Sequence, residues 1–149
     1  MGLVGVTLAL DSNICIDALD ANQAGSTAAQ KVLLAVRAGR ADAILSALVF
    51  GEVLHVEDKD KQPPDMFSFV AALHHVVVQA ATASICSYAG ELRRQHGAAL
   101  RLPDAIHLAT AIQAGADCLI TNDKKLTKAA SGYLDVMTAG EFLAGLAQA

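Results

Sequence analysis

Short apolar runs alternate with longer segments of helical spacing along the chain, and this alternation constrains the fold more than any other feature. Five runs have the length and composition of buried strands: 6–10, 43–46, 76–80, 118–121 and 133–138. Eight segments have the spacing or the end signals of helices: 11–21, 31–39, 47–57, 66–74, 82–96, 103–115, 123–130 and 139–149. Strands and helices that alternate in this way predict a parallel sheet covered by helices.

The chain has the length of one domain. Its 149 residues match the commonest domain size of about 100 to 150, and no repeat, low-complexity segment or interdomain linker interrupts it. We therefore predict a single domain over residues 1–149, an α/β three-layer sandwich whose central, mainly parallel sheet is flanked by helices. Functional sites in such folds lie beyond the carboxyl ends of the strands.

Composition narrows the classes of function. The chain is 54% hydrophobic and 17% charged, which argues against disorder. Its net charge of −4 opposes general binding to phosphate, yet 15 acids face 11 bases, so a metal that neutralised four acids would leave an even balance. Trp is absent and aromatic residues make up 4%, which argues against a base-stacking platform. Any nucleic acid would therefore be held by its backbone.

The cysteines and the first residues indicate a cytoplasmic protein. Cys15, Cys86 and Cys118 are odd in number, widely spaced and set in apolar runs, which predicts small core residues in a reducing compartment. The apolar start "MGLVGVTLAL" has no basic residue and meets Asp11 too early for a signal peptide or a membrane span. We expect no association with a membrane.

Four acids stand at or near the ends of predicted elements, and three of them are tied to strand ends that a parallel sheet places on one edge. Asp11 directly follows the first strand, Glu52 lies about two turns into the helix after the second, Asp104 opens a helix, and Asp123 follows the strand "CLIT". Converging carboxylates repel one another, and a hard divalent cation such as Mg²⁺ or Mn²⁺, with Asn, Ser or water completing its shell, relieves this repulsion. Such a site is suited to hydrolysis of phosphodiesters.

Each of these residues also has a purely structural interpretation. Asp11, Asp104 and Asp123 stand at helix starts, where a carboxylate caps the helix or is favoured by its dipole. Glu52 lies on a mostly apolar helix, where a glutamate is costly unless it binds a metal or pairs with an Arg or Lys. His107 shares a helix face with Asp104 and is either a substrate contact or a histidine satisfied near the core.

Four stretches carry a resemblance to a known family: "LALDSNICIDAL", "SALVFGEVL", "LRLPDAIHLATAIQAGA" and "CLITNDKKL". In this order they resemble the four acidic motifs of the PIN-domain family, above all the VapC-type ribonuclease toxins of VapBC toxin–antitoxin pairs. The resemblance implies a PIN-like α/β fold, Mg²⁺- or Mn²⁺-dependent endoribonuclease activity, a small antitoxin partner and a homodimer. It also implies the residues of the metal site, which are Asp11, Glu52, Asp104 and Asp123, with Ser12 and Asn122 in support around bound water.

Other functions stay open from the sequence. The same fold with a weak metal site is the alternative, a module that binds RNA or a protein without cleavage. A receiver-like phosphorylation domain expects adjacent acids after the first strand, which "LALDSN" does not supply. Six bases are candidates for guiding an RNA backbone or are ordinary solvated charges: Arg93, Arg94, Arg101, Lys124, Lys125 and Lys128. The apolar segments "MFSFVAAL" and "FLAGLAQA" are either partner surfaces or parts of the core.

Overall fold

The central layer of the molecule is a sheet of five parallel strands. A computed structural model describes residues 5–20, 26–54, 60 and 62–148. Within these residues the strands are β1 (Thr7–Leu10), β2 (Asp42–Ser46), β3 (Val76–Gln79), β4 (Cys118–Ile120) and β5 (Asp135–Met137). Their order across the sheet is β3-β2-β1-β4-β5, and all four pairings are parallel. The predicted α/β class is confirmed.

Eight α-helices connect or follow these strands in the described part of the chain. They are α1 (Ser12–Leu19), α2 (Ser26–Arg37), α3 (Val49–Glu52), α4 (Met66–Leu73), α5 (Ala83–His96), α6 (Leu102–Gln113), α7 (Lys124–Ala130) and α8 (Ala139–Ala147). A short 3₁₀ turn, Gly97–Ala99, follows α5. Among the described residues, no helix has both the length and the apolar character that crossing a membrane requires.

The helices form one layer on each face of the sheet. Along β1, Leu8 and Leu10 join a core built with α1, α2, α4 and α8, whereas Ala9 points to a second core built with α5, α6 and α7. This division follows from the alternation of side chains along a strand. Because both faces of the central strands are buried, they read as apolar runs without alternation.

The order in which strands are added to the sheet changes direction between β1 and β4. From β1 it moves outward through β2 to β3, and it then crosses back to place β4 on the other side of β1. The amide of Asp11 donates to the carbonyl oxygen of Ile120 at 3.1 Å, so the two strands stay paired to their carboxyl ends. Such a switch point is where open α/β sheets usually bind ligands.

The local boundaries differ from the predicted ones where tertiary pairing intervenes. The amide of Ala47 donates to the carbonyl oxygen of Gln79 at 2.8 Å, which extends the sheet ladder and delays the helix predicted from residue 47. Helix α3 is therefore a single turn, and Glu52 closes that turn instead of lying two turns in. The remainder of this predicted helix, at 55–57, lies outside the described residues.

Other predictions about burial are partly corrected. Cys15 and Cys118 are buried as expected, but Cys86 is exposed on α5. Helix α8 packs into the core through Phe142, which is fully buried. Helix α4 lies partly in the core and partly on the surface: Met66 is buried, whereas Phe67 is 78% exposed. The apolar segment of α4 thus leaves a large hydrophobic side chain on the surface.

Candidate active site

Asp11 lies buried at the carboxyl end of the central strand. Asp11 is the residue immediately before α1, yet its side chain makes no capping hydrogen bond to that helix. Its Oδ2 accepts a hydrogen bond from Thr121 Oγ1 at 2.8 Å. Its Oδ1 is buried and has no hydrogen-bond partner among the described residues. A buried carboxylate oxygen without a partner is costly, which makes it a natural ligand for a cation.

The environment of Asp11 raises its pKa. Burial is the largest cause, because it removes water from the charged form, and the nearby Asp104 carboxylate adds to the rise. The positive field of His107 and the hydrogen bond from Thr121 act in the opposite direction and do not cancel it. Asp11 is therefore a carboxyl group that the fold holds at an electrostatic cost.

Glu52 is held by two partners from other helices. His107 Nε2 lies 2.5 Å from Glu52 Oε1, and Ser12 Oγ donates to Glu52 Oε2 at 3.3 Å. The Glu52 side chain is 28% exposed, whereas that of His107 is 2% exposed. The partner that Glu52 needs on this apolar helix is thus His107. From the sequence alone, His107 could have been either a substrate contact or a core residue.

His107 stands at the centre of three acids. Burial lowers the pKa of its imidazole, but the hydrogen bond with Glu52 and the charges of Asp11, Glu52 and Asp104 together raise that pKa above its ordinary value. The charges of two of these acids also act on Cys15. Burial, followed by the charges of Asp11 and Glu52, raises the pKa of the Cys15 thiol to about 12, so the thiol stays protonated.

Asp104 and Asp123 face an open cleft beside this buried cluster. Asp104 lies in the first turn of α6, and its Oδ2 accepts from Arg101 Nε at 3.2 Å. Asp123 caps α7, because its Oδ1 accepts from the amides of Lys125 at 2.8 Å and Leu126 at 3.3 Å. The capping role that the sequence allowed for Asp123 is therefore real, and it engages one of the two carboxylate oxygens.

The cleft has a volume of about 530 Å³ and a mixed lining of acids and bases. Its wall consists of Ala98, Ala99, Arg101, Asp104, Asp123, Lys124 and Lys125. Three of the six bases that the sequence offered as guides for a phosphate backbone thus lie in the cleft with two of the four acids. Of the others, Arg94 pairs with Glu91 at 2.8 Å and Arg93 donates to the carbonyl oxygen of Leu100.

Thr121 links the buried cluster to the cleft and was missed by the sequence analysis. Its hydroxyl donates to Asp11 and accepts a hydrogen bond from the amide of Asp123 at 3.1 Å. It is fully buried at the end of β4. The signal for it was present, since a hydroxyl residue at the carboxyl end of a buried strand needs a polar partner. Asn122, by contrast, directs its Oδ1 to the amide of Ala139 at 3.3 Å.

The donor set fits a hard divalent cation, although the acids are engaged by protein partners. Among the described residues, no group of three His, Cys, Asp or Glu side chains is arranged to ligate one metal ion directly. The chemistry of the donors is nevertheless that of a Mg²⁺ or Mn²⁺ site, since they are carboxylate oxygens. The unpartnered Asp11 Oδ1 gives such an ion a ready first ligand.

Comparison with known proteins decides the family. The model of the PIN domain matches residues 8–132, which include all four acids and Thr121. The chain belongs to the PIN domain family. Members of this family are generally nucleases. No curated protein matches the sequence.

Solved structures share the fold of this PIN domain. A toxin–antitoxin complex from Klebsiella pneumoniae is 27% identical with a TM-score of 0.62, over 89% of this chain and 97% of that one. VapBC2 from Rickettsia felis, bound to a promoter DNA fragment, is 20% identical with a TM-score of 0.63, over 89% and 98%. DNA-bound VapBC from Salmonella typhimurium is 15% identical with a TM-score of 0.61, over 90% and 98%. The last two likenesses show the fold alone.

We expect the Asp11→Asn variant of this PIN domain to be at least as stable as the parent at neutral pH in EDTA. The folded pKa of Asp11 lies above its ordinary value of 3.8, so ionisation costs the native state more than the unfolded one. The stability advantage of the variant should be absent below that ordinary value. It should grow as pH rises from that ordinary value to the folded pKa, and it should stay constant at higher pH.

Urea denaturation of the parent and the variant at a series of pH values measures this difference. Asp135→Asn, which removes an exposed acid from β5, serves as the control and should show no comparable gain. A clear loss of stability in Asp11→Asn at neutral pH would mean that the carboxylate supports the fold.

Proposed function

We propose that this PIN domain is a Mg²⁺- or Mn²⁺-dependent endoribonuclease and the toxin of a toxin–antitoxin pair. The observation that carries the proposal is the buried Asp11 carboxylate, whose Oδ1 lacks a hydrogen-bond partner among the described residues and which is close enough to Asp104 to be repelled by its charge. A site of this kind beside a cleft lined by Arg101, Lys124 and Lys125 is suited to a phosphodiester backbone.

The proposed site residues are those that the four acidic motifs imply. The metal ligands would be the four acids Asp11, Glu52, Asp104 and Asp123, and the supporting polar groups would be Ser12 and Asn122, although Asn122 Oδ1 accepts from the amide of Ala139. A bound divalent cation would supply activation of water and stabilisation of phosphoryl charge. Thr121 keeps the Asp11 carboxylate in place, and Ser12 does the same for Glu52.

The bases of the cleft would hold the RNA backbone near the acids. Lys124 and Lys125 form no ion pair within the described ranges, so their charges are available to phosphate groups. Arg101 already neutralises Asp104 at 3.2 Å, and it would exchange this partner for a phosphate when a cation occupies the acids. The net charge of −4 is compatible with RNA binding if a cation neutralises the acids of the cleft, because the charges of Arg101, Lys124 and Lys125 then remain there.

A second candidate function is a PIN module that binds RNA or a protein without cleaving RNA. The observation in its favour is that protein groups already occupy both oxygens of Glu52 and one oxygen of Asp123. If those contacts outcompete a cation, the site stays catalytically weak. Metal binding measured by calorimetry, together with RNA binding without products, would distinguish this module from the nuclease.

Cleavage should depend on a divalent cation and on the acids. We expect purified protein to cut a mixed RNA substrate in Mn²⁺ or Mg²⁺ and not in EDTA. Asp11→Asn and Asp104→Asn should lower the rate at least about 100-fold, since loss of one preorganised electrostatic group costs a factor of that order. Gel analysis of end-labelled RNA measures the rate, and Asp135→Asn is the matched control with an unchanged rate.

Products that persist in EDTA or in both site variants would contradict the metal-dependent nuclease. Absence of cleavage by a protein that binds Mn²⁺ and RNA would favour the second candidate function.

The lysines of the cleft should contribute to RNA affinity through charge. We expect the double substitution of Lys124 and Lys125 by Ala to weaken binding of single-stranded RNA. It should lower the slope of log affinity against log salt by about 1.4, or ~0.7 for each phosphate contact. Fluorescence anisotropy in the Asp104→Asn background measures both quantities. Lys31→Ala, on α2 at the other face of the sheet, is the control; an equal effect there would indicate nonspecific attraction.

We propose two partners for this chain, an antitoxin and a second copy of itself. An apolar groove of about 320 Å³ lies between α1, α2 and α4, and Leu34 on its rim is 59% exposed. An apolar segment of an antitoxin would bury this leucine, and the Klebsiella pneumoniae relative is itself a toxin–antitoxin complex. Phe67, 78% exposed and 4.8 Å from the ring of Phe50, offers a separate apolar surface for a homodimer.

Native mass spectrometry of tagged protein, purified from the organism that produces it, should show two copies of the chain bound to a smaller protein. In the cleavage assay, that smaller protein should suppress RNA cleavage. Leu34→Glu should release the smaller protein and leave two copies, because a charge in the groove cannot be buried cheaply. Phe67→Glu should separate the copies. A monomer without a partner in the parent would contradict both assignments.

We also propose that residues 1–149 form one PIN domain. The family match ends at residue 132, but α8 beyond it packs into the core of α1, α2 and α4 through Phe142 and Leu146. Deletion of α8 should therefore unfold the chain, which circular dichroism would detect.

A further inference from the structure

We propose that His107 positions the Glu52 carboxylate for the divalent cation, and that it does so through the hydrogen bond between His107 Nε2 and Glu52 Oε1. The inference rests on the metal-binding part of the proposed function. His107 is not one of the four acids, and the sequence motif of α6 does not reveal this role.

The two partners differ in how firmly the fold holds them. Glu52 closes a single helical turn, α3, and its side chain is partly exposed. His107 lies within the twelve-residue helix α6, between buried neighbours Ile106 and Leu108, and its side chain is 2% exposed. The imidazole is therefore the fixed group, and the glutamate is the group that is oriented.

Both oxygens of Glu52 are defined by this arrangement. Oε1 faces His107 and Oε2 accepts from Ser12 Oγ at 3.3 Å, so the plane of the carboxylate is set from two sides. A free glutamate side chain rotates about three bonds, and ordering it costs conformational entropy. A ligand oriented before the cation arrives avoids that cost during binding.

A merely structural histidine would not need this partner. A buried imidazole is commonly satisfied by a backbone carbonyl oxygen or another nearby acceptor. His107 instead takes a carboxylate that lies 55 residues away in the chain and could be solvated, since it is 28% exposed. The same imidazole is close enough to Asp11 and Asp104 to feel their charges, which places the contact inside the acidic cluster.

The experiment is Mn²⁺ calorimetry on apoprotein, with paired substitutions of similar polarity. The amide nitrogen of Gln at 107 occupies the place of imidazole Nε2, whereas that of Asn falls about one bond short. We expect His107→Gln to keep affinity near that of the parent. His107→Asn and His107→Leu should weaken Mn²⁺ binding about 10- to 100-fold, the usual effect of losing a partner of a metal ligand.

A matched control lies one turn further along the same helix. Thr110 is buried and its Oγ1 donates to the carbonyl oxygen of Ile106, away from the acids. Thr110→Val therefore removes a buried hydrogen bond from α6 without touching Glu52, and it should leave Mn²⁺ affinity unchanged. Thermal melts of all variants identify any that fail to fold, and the Gln and Asn variants then carry the comparison.

A double-mutant cycle with Glu52→Gln tests whether His107 acts through Glu52. In that background, His107→Asn should cause no further loss of Mn²⁺ affinity. An equal loss in both backgrounds, or unchanged affinity of His107→Asn in the parent, would overturn the proposal. Failure of the parent to bind Mn²⁺ would overturn it together with the metal site, whereas Mn²⁺ binding without RNA cleavage would remove only the nuclease function.

Discussion

The acidic site is built around a carboxylate buried at the end of the central strand β1. Asp11 has neighbouring strands on both sides, so water is excluded and its charge is costly. One oxygen is satisfied by Thr121, and the other has no partner within the described residues. The strand order makes this arrangement possible, because β4 brings Thr121 beside β1 at the point where the chain reverses its path across the sheet.

Several protein groups compensate the charges of the acids in this site. His107 lies among Asp11, Glu52 and Asp104, and its raised pKa reflects an attraction that offsets part of their mutual repulsion. Arg101 compensates Asp104, and the amides of α7 compensate Asp123. Among the described residues, Asp11 Oδ1 is the one buried side-chain oxygen without a hydrogen-bond partner, so Asp11 is the acid that most needs a positive charge.

Much of the fold followed from local patterns. The five apolar runs became the five strands. The inner strands β1, β2 and β4 are apolar because helices cover both of their faces, whereas the edge strand β3 exposes Val77 and Val78. The pattern failed where distant pairing decided the outcome. The helix predicted from residue 47 starts at Val49, because Ala47 pairs with Gln79 of the next strand. Cys86 sits in an apolar stretch but on the outer side of α5, a distinction that composition does not contain.

Local patterns were enough to place Asp11, Asp104 and Asp123 at the ends of strands or the starts of helices, and the motifs indicated the PIN family that the comparison confirmed. The contacts of each acid could be read only from the three-dimensional arrangement of the chain. Glu52 meets a histidine 55 residues away and Asp11 meets a threonine 110 residues away. Such contacts depend on strand order and on the packing of helices against the sheet, and local periodicity specifies neither, because it records only which face of an element is apolar.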